Sequence, residues 1–411
     1  MPARLSLYQE IHQQIKTATA PFGVRQTSVV RLALLVCGIL AARTGVLARV
    51  ADELDGLALT GANRPASIAR RLRRTLNDRC LDAATCYTPV VRSVVAASLA
   101  ASRVHEVVLI VDESSHTDRI HLLRVSLAYR GGSLPLAWAL WPQNTTQPAG
   151  SYWRAVERVL TTVAGIIPAG FPVVVLADRA YDVPAFLDAM TRRDWSWVVR
   201  TKAGSDLRVR DRRGCEQFLR TLVTRHLARP GQRWQMRGLA FKTAGWRRVT
   251  IVGVWARGQA EPLVLLTDRP ARMAVMRLYG RRFWIEPGFR QDKTAGWQWE
   301  DSQVTELAHQ ERLVLALAWA TLVTLCLGAD LAEERLTLER EKPPHPAGRQ
   351  PPRQRPHARQ SLFTLGLTRL RRGLYRGWVR LSWRLPDLGQ TSWTRQWEQV
   401  QLARYPESVR P

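Results

Sequence analysis

The chain has 411 residues, with 61 Lys and Arg against 34 Asp and Glu and a formal net charge of +27. A hydrophobic content of 46% is enough to bury a core across two or three domains, which excludes a wholly disordered chain. The excess of base is far above what solubility needs and points to a polyanionic partner, most simply nucleic acid. Codon bias would explain Arg in place of Lys, but not 61 bases against 34 acids. The cysteines, Cys37, Cys80, Cys86, Cys215 and Cys326, are scattered without CxxC spacing, so neither a zinc site nor a disulfide framework is indicated. A reducing cytoplasm is the expected compartment.

Residues 1–100 read as an all-helical domain. The opening MPARLSLYQEIHQQIK lacks the apolar stretch of a signal peptide, and Leu5–Ala18 is a modest amphipathic helix. Thr27–Ala42 is strongly apolar and is expected at the centre of this domain. Val46–Leu54, the turn LTGANR and Pro65–Leu76 then form a helix-turn-helix-like pattern, with Asn63 as the expected cap and Pro65 in the first turn. Arg70, Arg71, Arg73 and Arg74 crowd the second helix, as expected of a helix lying against DNA phosphates. A solvated basic helix packed on its apolar neighbour is the plainer reading.

Residues 104–202 read as the first part of an α/β core. His105–Glu113, Arg119–Tyr129 and Leu134–Trp141 form three strands, with Gly131 and Gly132 in the second turn. Tyr152–Val163 is a helix, Pro172–Ala177 a buried strand, Val183–Arg193 a helix and Trp195–Thr201 a strand. Two of these strands deliver carboxylates, Asp112 in VVLIVDESS and Asp178 in PVVVLADRAYD, with Arg179 beside the latter. Glu113 is expected on the opposite face from Asp112, Asp182 as a helix cap, and His116 in a loop. His105, His116 and His121 cluster near Asp112 but are a weak alternative metal site.

Residues 203–277 read as a β-rich insertion, with strand-like pieces at 207–210, 233–241, 247–256 and 262–268. Trp255 is the nearest candidate there for stacking on a base, although plain strand packing fits it better. Residues 278–332 return to the core. They open on Tyr279–Lys293, YGRRFWIEPGFRQDK, which as a helix sets Tyr279, Arg282, Glu286, Arg290 and Lys293 on neighbouring faces. Pro287 favours a helix start near Ile285, and Asp292 reads as a surface acid. Leu313–Ala329 reads as a buried core helix, a little short for a membrane span. Residues 335–360 form a Pro/Arg-rich linker, and 361–411 a basic C-terminal tail for which DNA contact, dimer contact and simple packing stay open. Two strand-end aspartates and a helical glutamate, Asp112, Asp178 and Glu286, suit a pair of divalent cations that clamp the oxygens of a phosphodiester.

Tyr279, Arg282, Glu286 and Lys293 meet the signature Tyr-x2-Arg-x3-Glu-x6-Lys. Together with Val125–Pro142 and ADRAYD around Asp178, the chain resembles the DDE transposases of bacterial insertion sequences, the cut-and-paste group. The resemblance spans roughly Glu106–Ala329. It implies an α/β ribonuclease H-like catalytic core, which the order βββαβαβ also fits, with a β-rich insertion, a helical DNA-binding region before it and the basic tail after it. It implies binding to the ends of a mobile element, DNA cleavage, and joining of the 3′ ends to target DNA by two-metal phosphoryl transfer. Mg²⁺ is the expected ion, as a pair, with Mn²⁺ able to substitute. Asp112, Asp178 and Glu286 would be the catalytic metal ligands, and Tyr279, Arg282 and Lys293 would hold phosphates, with Arg290 and Arg179 adding charge. A homodimer on DNA, no membrane, and a cytoplasmic, nucleoid-associated location follow from the same resemblance. Two alternatives remain: a transposase-derived DNA-binding protein without catalysis, and a ribonuclease H-like nuclease without strand transfer.

Overall fold

In the computed structural model the described residues are 3–402, apart from 58, 60–63, 144, 146–147, 345–359, 377–378 and 389–390. Residues 60–63 of the LTGANR turn, Asn63 among them, and most of the expected linker therefore lie outside the described residues.

Six helices come first: α1 (Ala3–Thr19), α2 (Gln26–Ala42), α3 (Leu47–Gly56), α4 (Pro65–Leu76), α5 (Ala83–Cys86) and α6 (Thr88–Ala100). Local chemistry starts several of them. Asp82 accepts a hydrogen bond from the Thr85 amide at the head of α5, and prolines occupy the first turns of α4 and α6, where no amide donor is needed. Helix α4 buries Ile68, Leu72 and Leu76 at steps of four and leaves Arg70, Arg71, Arg73 and Arg74 exposed. These helices are not a separate body. Their buried residues join one hydrophobic cluster with the sheet, and polar contacts tie them to it and to the helix Leu307–Glu341: Tyr87 Oη donates to Pro135 O of the sheet, and Trp319 Nε1 and Arg312 Nε of that helix donate to Cys86 O and Asp78 O.

The chain then runs β1 (Val107–His116), β2 (Ile120–Tyr129), β3 (Gly132–Pro142), α7 (Ser151–Ala164), β4 (Val173–Ala177), α8 (Pro184–Thr191) and β5 (Ser196–Thr201), in the order expected from the sequence. Strands β1, β2 and β3 form an antiparallel meander, and β4 pairs in parallel with both β1 and β5. Arg130 at φ 45° and Gly131 at φ 95° make the tight turn between β2 and β3, a left-handed pair for which glycine is the natural second residue. Every residue of β4 is buried, because helices cover both faces of a parallel strand.

The segment expected as a β-rich insertion continues the same sheet. It supplies β6 (Arg208–Asp211), β7 (Glu216–Phe218), α9 (Leu219–His226), β8 (Arg233–Ala240), β9 (Arg247–Val254) and β10 (Leu263–Thr267). Strand β10 pairs antiparallel with β5, so the described strands form one sheet in the order β3-β2-β1-β4-β5-β10-β9-β8-β6-β7. The free edge of β5 is the physical reason, since its unpaired amides and carbonyls need a partner strand. Trp255 follows β9 and donates Nε1 to Gln259 O, a local packing contact.

After β10 come α10 (Ala274–Tyr279), α11 (Ile285–Arg290), α12 (Leu307–Glu341), α13 (Leu362–Arg376) and α14 (Trp393–Leu402). Helix α12 is the one described helix long and apolar enough to cross a membrane, and 94% of its most apolar window is buried inside the fold. It runs to Glu341, so residues 335–341 of the expected linker are helical instead. Of the roles left open for the C-terminal region, packing is observed for α13. Leu362, Phe363, Leu365, Gly366 and Leu370 are buried on this helix, and Gly328 of α12 and Gly366 let the two backbones touch. A Cβ at Gly328 would fall on the Leu362 carbonyl, and one at Gly366 on the Thr324 carbonyl. Gly328→Ala is expected to cost about 1–3 kcal/mol or more by overpacking. A lower thermal midpoint and faster proteolysis of the C-terminal region would register it; an unchanged midpoint would refute the close crossing.

Candidate active site

The carboxylates meet because of strand register. In β1, Val111 lies beside Ala177 of β4, so Asp112 and the next residue along β4, Asp178, come level. Asp178 ends its strand and accepts from the Ala180 amide at 2.8 Å, which starts a 3-10 turn and leaves Arg179 exposed.

Glu286 arrives from the other end of the chain. Tyr279–Lys293 is helical throughout but is not one α-helix. Helix α10 passes into a 3-10 turn at Gly280–Trp284, then α11, then a π-turn at Gln291–Ala295. Pro287 has no amide hydrogen, so the Phe283 carbonyl lacks its partner four residues on, and the tighter turn before Ile285 absorbs the break. Arg282 and Glu286 still face each other across the junction.

Arg282 is the centre of the site. Its Nη2 donates to Asp112 Oδ1 at 2.9 Å and stands 3.9 Å from Asp178 Oδ2, and its Nη1 donates to Glu286 Oε1 at 3.0 Å. Three carboxylates from three elements therefore surround one guanidinium. Burial pushes the Asp112 carboxyl up to about 6, with the Asp178 charge adding to the rise, while Arg282 and the Glu113 amide pull it back. Asp112 is 8% exposed, whereas Glu286 is open to solvent. Among the described residues no group of three or more His, Cys, Asp or Glu side chains is placed to hold a metal ion, and Arg282 lies between the three carboxylates. The donor set nevertheless fits a divalent ion: hard carboxylate oxygens, aimed at one positive centre.

The remaining expected residues divide. Tyr279 is 1% exposed, with burial as the main cause of a hydroxyl pKa pushed up to about 12, so it lies beneath the site rather than on it. Arg290 is exposed, and Lys293 Nζ lies 3.8 Å from Glu300. Arg70, Arg71, Arg73 and Arg74 sit on α4, away from the carboxylates in sequence and element. Asp182 does not cap α8; it accepts from Thr201 Oγ1, and burial raises its carboxyl to about 7. His116 is not in a loop but ends β1, buried, bonded to Trp299 O at 2.9 Å.

Two supporting groups escaped the sequence reading. Asp292 is no surface acid: it is 7% exposed and paired with Arg124 of β2, itself 3% exposed, whose guanidinium lies 4.2 Å from the Phe289 ring centroid. Arg124 is the register partner of Asp112, so this pair ties the Glu286 segment to the strand beside Asp112. An arginine inside the apolar run HLLRVSLAY was the available signal, because a buried charge needs a partner. The second group is Glu113, on the opposite face of β1 as expected. It accepts from His121 Nε2 at 2.5 Å, Tyr181 Oη at 2.8 Å and Tyr152 Oη, joining β1, β2, α7 and the turn after Asp178.

Burial pushes the Glu113 carboxyl up, but these three donors outweigh it and hold it below the usual range. Its stabilisation is therefore present above the unfolded pKa and lost as pH falls through the folded one. Glu113→Gln is expected to destabilise the chain by about 1–2 kcal/mol at pH 7. The deficit should hold down to about pH 5 and shrink as pH falls below about 4, as read by thermal midpoints across pH; a deficit that grows in acid would refute it.

A family model described as a transposase DDE domain matches residues 114–323, just over half of the chain. Asp178 and Glu286 lie inside the match and Asp112 two positions before it. No curated protein sequence matches the chain. Among solved structures, the chain is similar to a piggyBac transposase in a synaptic complex with hairpin DNA, seen by cryo-EM, at 11% identity and a TM-score of 0.40, covering 100% of this chain and 87% of that one.

Proposed function

Because the chain belongs to the transposase DDE domain family, we propose that it is a DNA transposase of the insertion-sequence type. In this reading it binds the ends of a mobile element, cleaves DNA there and joins the freed 3′ ends to target DNA. The observation that carries the reading is the convergence of Asp112, Asp178 and Glu286 on Arg282.

Asp112, Asp178 and Glu286 are the residues that would hold the divalent ions, taken as a Mg²⁺ pair with Mn²⁺ as substitute. Such ions, when bound, supply an activated water or 3′-hydroxyl and charge stabilisation for the leaving oxygen. The chain's own residues do the rest. Asp112, nearly buried on β1 between β2 and β4, sets a rigid anchor. Arg282 neutralises the carboxylates until DNA arrives and then offers its guanidinium fork to a phosphate, for which bidentate geometry suits it. Lys293, Arg290 and Arg179 would add positive charge for the phosphates, and buried Tyr279 lies close to Arg282. These are the Tyr-Arg-Glu-Lys positions of the proposed signature.

The helices of residues 1–100 carry DNA recognition in this reading, through the exposed Arg70, Arg71, Arg73 and Arg74 of α4. Residues 104–202 and 278–332 form the catalytic core and 203–277 its insertion. The partners are transposon ends and target DNA, engaged by a homodimer in the cytoplasm at the nucleoid.

The test is cleavage and strand transfer on DNA carrying the ends of the element's own locus, with Mg²⁺, comparing the chain with Glu286→Gln. Defined cleavage that vanishes in the variant while DNA binding persists supports the reading. Equal cleavage by both would sink the role of Glu286. Binding without cleavage under Mg²⁺ or Mn²⁺ would turn the reading to a non-catalytic DNA-binding protein.

A further inference from the structure

Away from the carboxylates the sheet carries a second concentration of positive charge. A cavity of about 870 Å³ opens between the Arg269–Trp284 segment and the start of α14, reaching from Glu106, just before β1, to Trp284. A second cavity of about 740 Å³ lies over β6, β8 and β9. Both are lined by Arg269 and Pro270, so the two adjoin there and form one groove. Glu106 and Asp112 are separated by most of the length of β1, roughly 20 Å at about 3.3 Å per residue. The groove thus follows the end of the sheet away from Asp112. Across the strands from β1 to β6 it extends roughly 30 Å, at about 4.8 Å per strand.

The charges in it are unbalanced. In the first cavity Arg272, Arg277 and Arg395 are exposed, and none of their guanidinium groups makes an ion pair or hydrogen bond among the described residues. In the second, Arg212, Arg237 and Arg248 are likewise exposed and unpaired. Strand register (Arg237 beside Thr250, Leu239 beside Arg248) puts Arg237 and Arg248 on one face. The acids of the groove are already engaged. Both oxygens of Glu106 bond Arg269, Asp211 Oδ1 accepts the Arg213 and Cys215 amides, and Asp268 Oδ1 accepts the Trp197 amide. Arg281 adds its guanidinium 5.9 Å from the Trp284 ring centroid, one residue from Arg282. The exposed, unpaired guanidinium groups of Arg212, Arg237, Arg248, Arg272, Arg277 and Arg395 form an open track that matches the repeated charges of a phosphate backbone.

We propose that this groove, formed by Arg272, Arg277 and Arg395 on one side and Arg212, Arg237 and Arg248 on the other, binds the phosphate backbone of duplex DNA away from the scissile phosphate. The choice of DNA over an acidic protein segment rests on the transposase reading above, and on the groove's start one residue from Arg282. Its length accommodates about nine base pairs at about 3.4 Å per step. Binding there is sequence-independent, because nothing but guanidinium groups and phosphates is matched.

The test uses the full chain carrying Glu286→Gln, so that cleavage plays no part and failure of the catalytic reading stays distinguishable. Two triple variants are made in it, R272Q/R277Q/R395Q and R212Q/R237Q/R248Q, with R25Q/R92Q/R158Q as a control of equal charge change at exposed positions outside the groove. Binding to a 30-base-pair duplex of unrelated sequence is measured from low to moderate salt. Each groove triple is expected to flatten the slope of log K against log salt by about 2–3, from about 0.9 per lost phosphate contact, with thermal midpoint unchanged, and the control by less than one. Slopes equal to the control would overturn the proposal. Poly-glutamate that competes as well per charge as DNA, with the same loss in the triples, would also overturn it in favour of an acidic protein partner.

Discussion

Arg282→Gln is expected to lower the stability of the ion-free chain by about 3 kcal/mol, the scale for removing one partner of a buried ion pair. The guanidinium is the only described cation within 4 Å of Asp112, and it serves Asp178 and Glu286 as well. Without it, Asp112 is left nearly buried beside the like charge of Asp178. The pH dependence follows from the direction of its shift. Burial already raises the Asp112 carboxyl to about 6, above the ordinary range for an aspartate, so its contribution is favourable in acid and is lost as pH rises through the folded value. Removing Arg282 pushes that value higher. The deficit of the variant should therefore be small near pH 5 and full above about pH 8.

The same substitution should increase the gain in thermal midpoint on adding Mn²⁺. An ion entering the wild-type site must displace the guanidinium, whereas in the variant it meets uncompensated carboxylates. A variant with wild-type stability and an unchanged response to Mn²⁺ would refute the role of Arg282 as resident counter-charge.

Arg124→Met is expected to cost about 3–5 kcal/mol, because it leaves Asp292 buried without its partner. Asp292 is 7% exposed, and burial already raises its carboxyl against the pull of Arg124. There is little room to adapt. A Cβ at Gly288 would lie 2.9 Å from Arg124 Nη2 and 2.8 Å from Ser133 Oγ, so α11 is seated directly on the β2–β3 pair at this point. Double substitution with Asp292→Leu should recover much of the loss, since replacing both charges removes the uncompensated one. If instead the two losses add, the pair is not coupled. Cleavage by Arg124→Met at a temperature where it stays folded should fall, and Arg124→Lys should restore part of it, because the loosened segment carries Glu286 and Lys293.

Much of the core was legible because its signals are local. The apolar runs ending at Asp112 and Asp178, the order of strands and helices to Thr201, and the apolar run Leu313–Ala329 all depend on period and composition within a few residues. What the sequence could not carry is pairing between distant segments. That Asp112 and Asp178 lie level is decided by the register of β1 on β4. The strands after Thr201 extend the same sheet because β10 covers the open edge of β5, a contact no periodicity announces.

The largest differences concern charge, and for one reason. Sequence reading places an acid at the surface unless a partner is visible nearby, and the partners here come from farther along the chain: Arg124 for Asp292, Thr201 for Asp182, and Tyr152 and Tyr181 for Glu113. By itself the sequence determined the elements, the excess of positive charge and the three acids placed at strand or helix positions. Only the tertiary structure decided that those acids surround Arg282, and that unpaired arginines from three separate segments line one groove. Side-chain electrostatics acts over a few ångströms in space, whatever the separation along the chain.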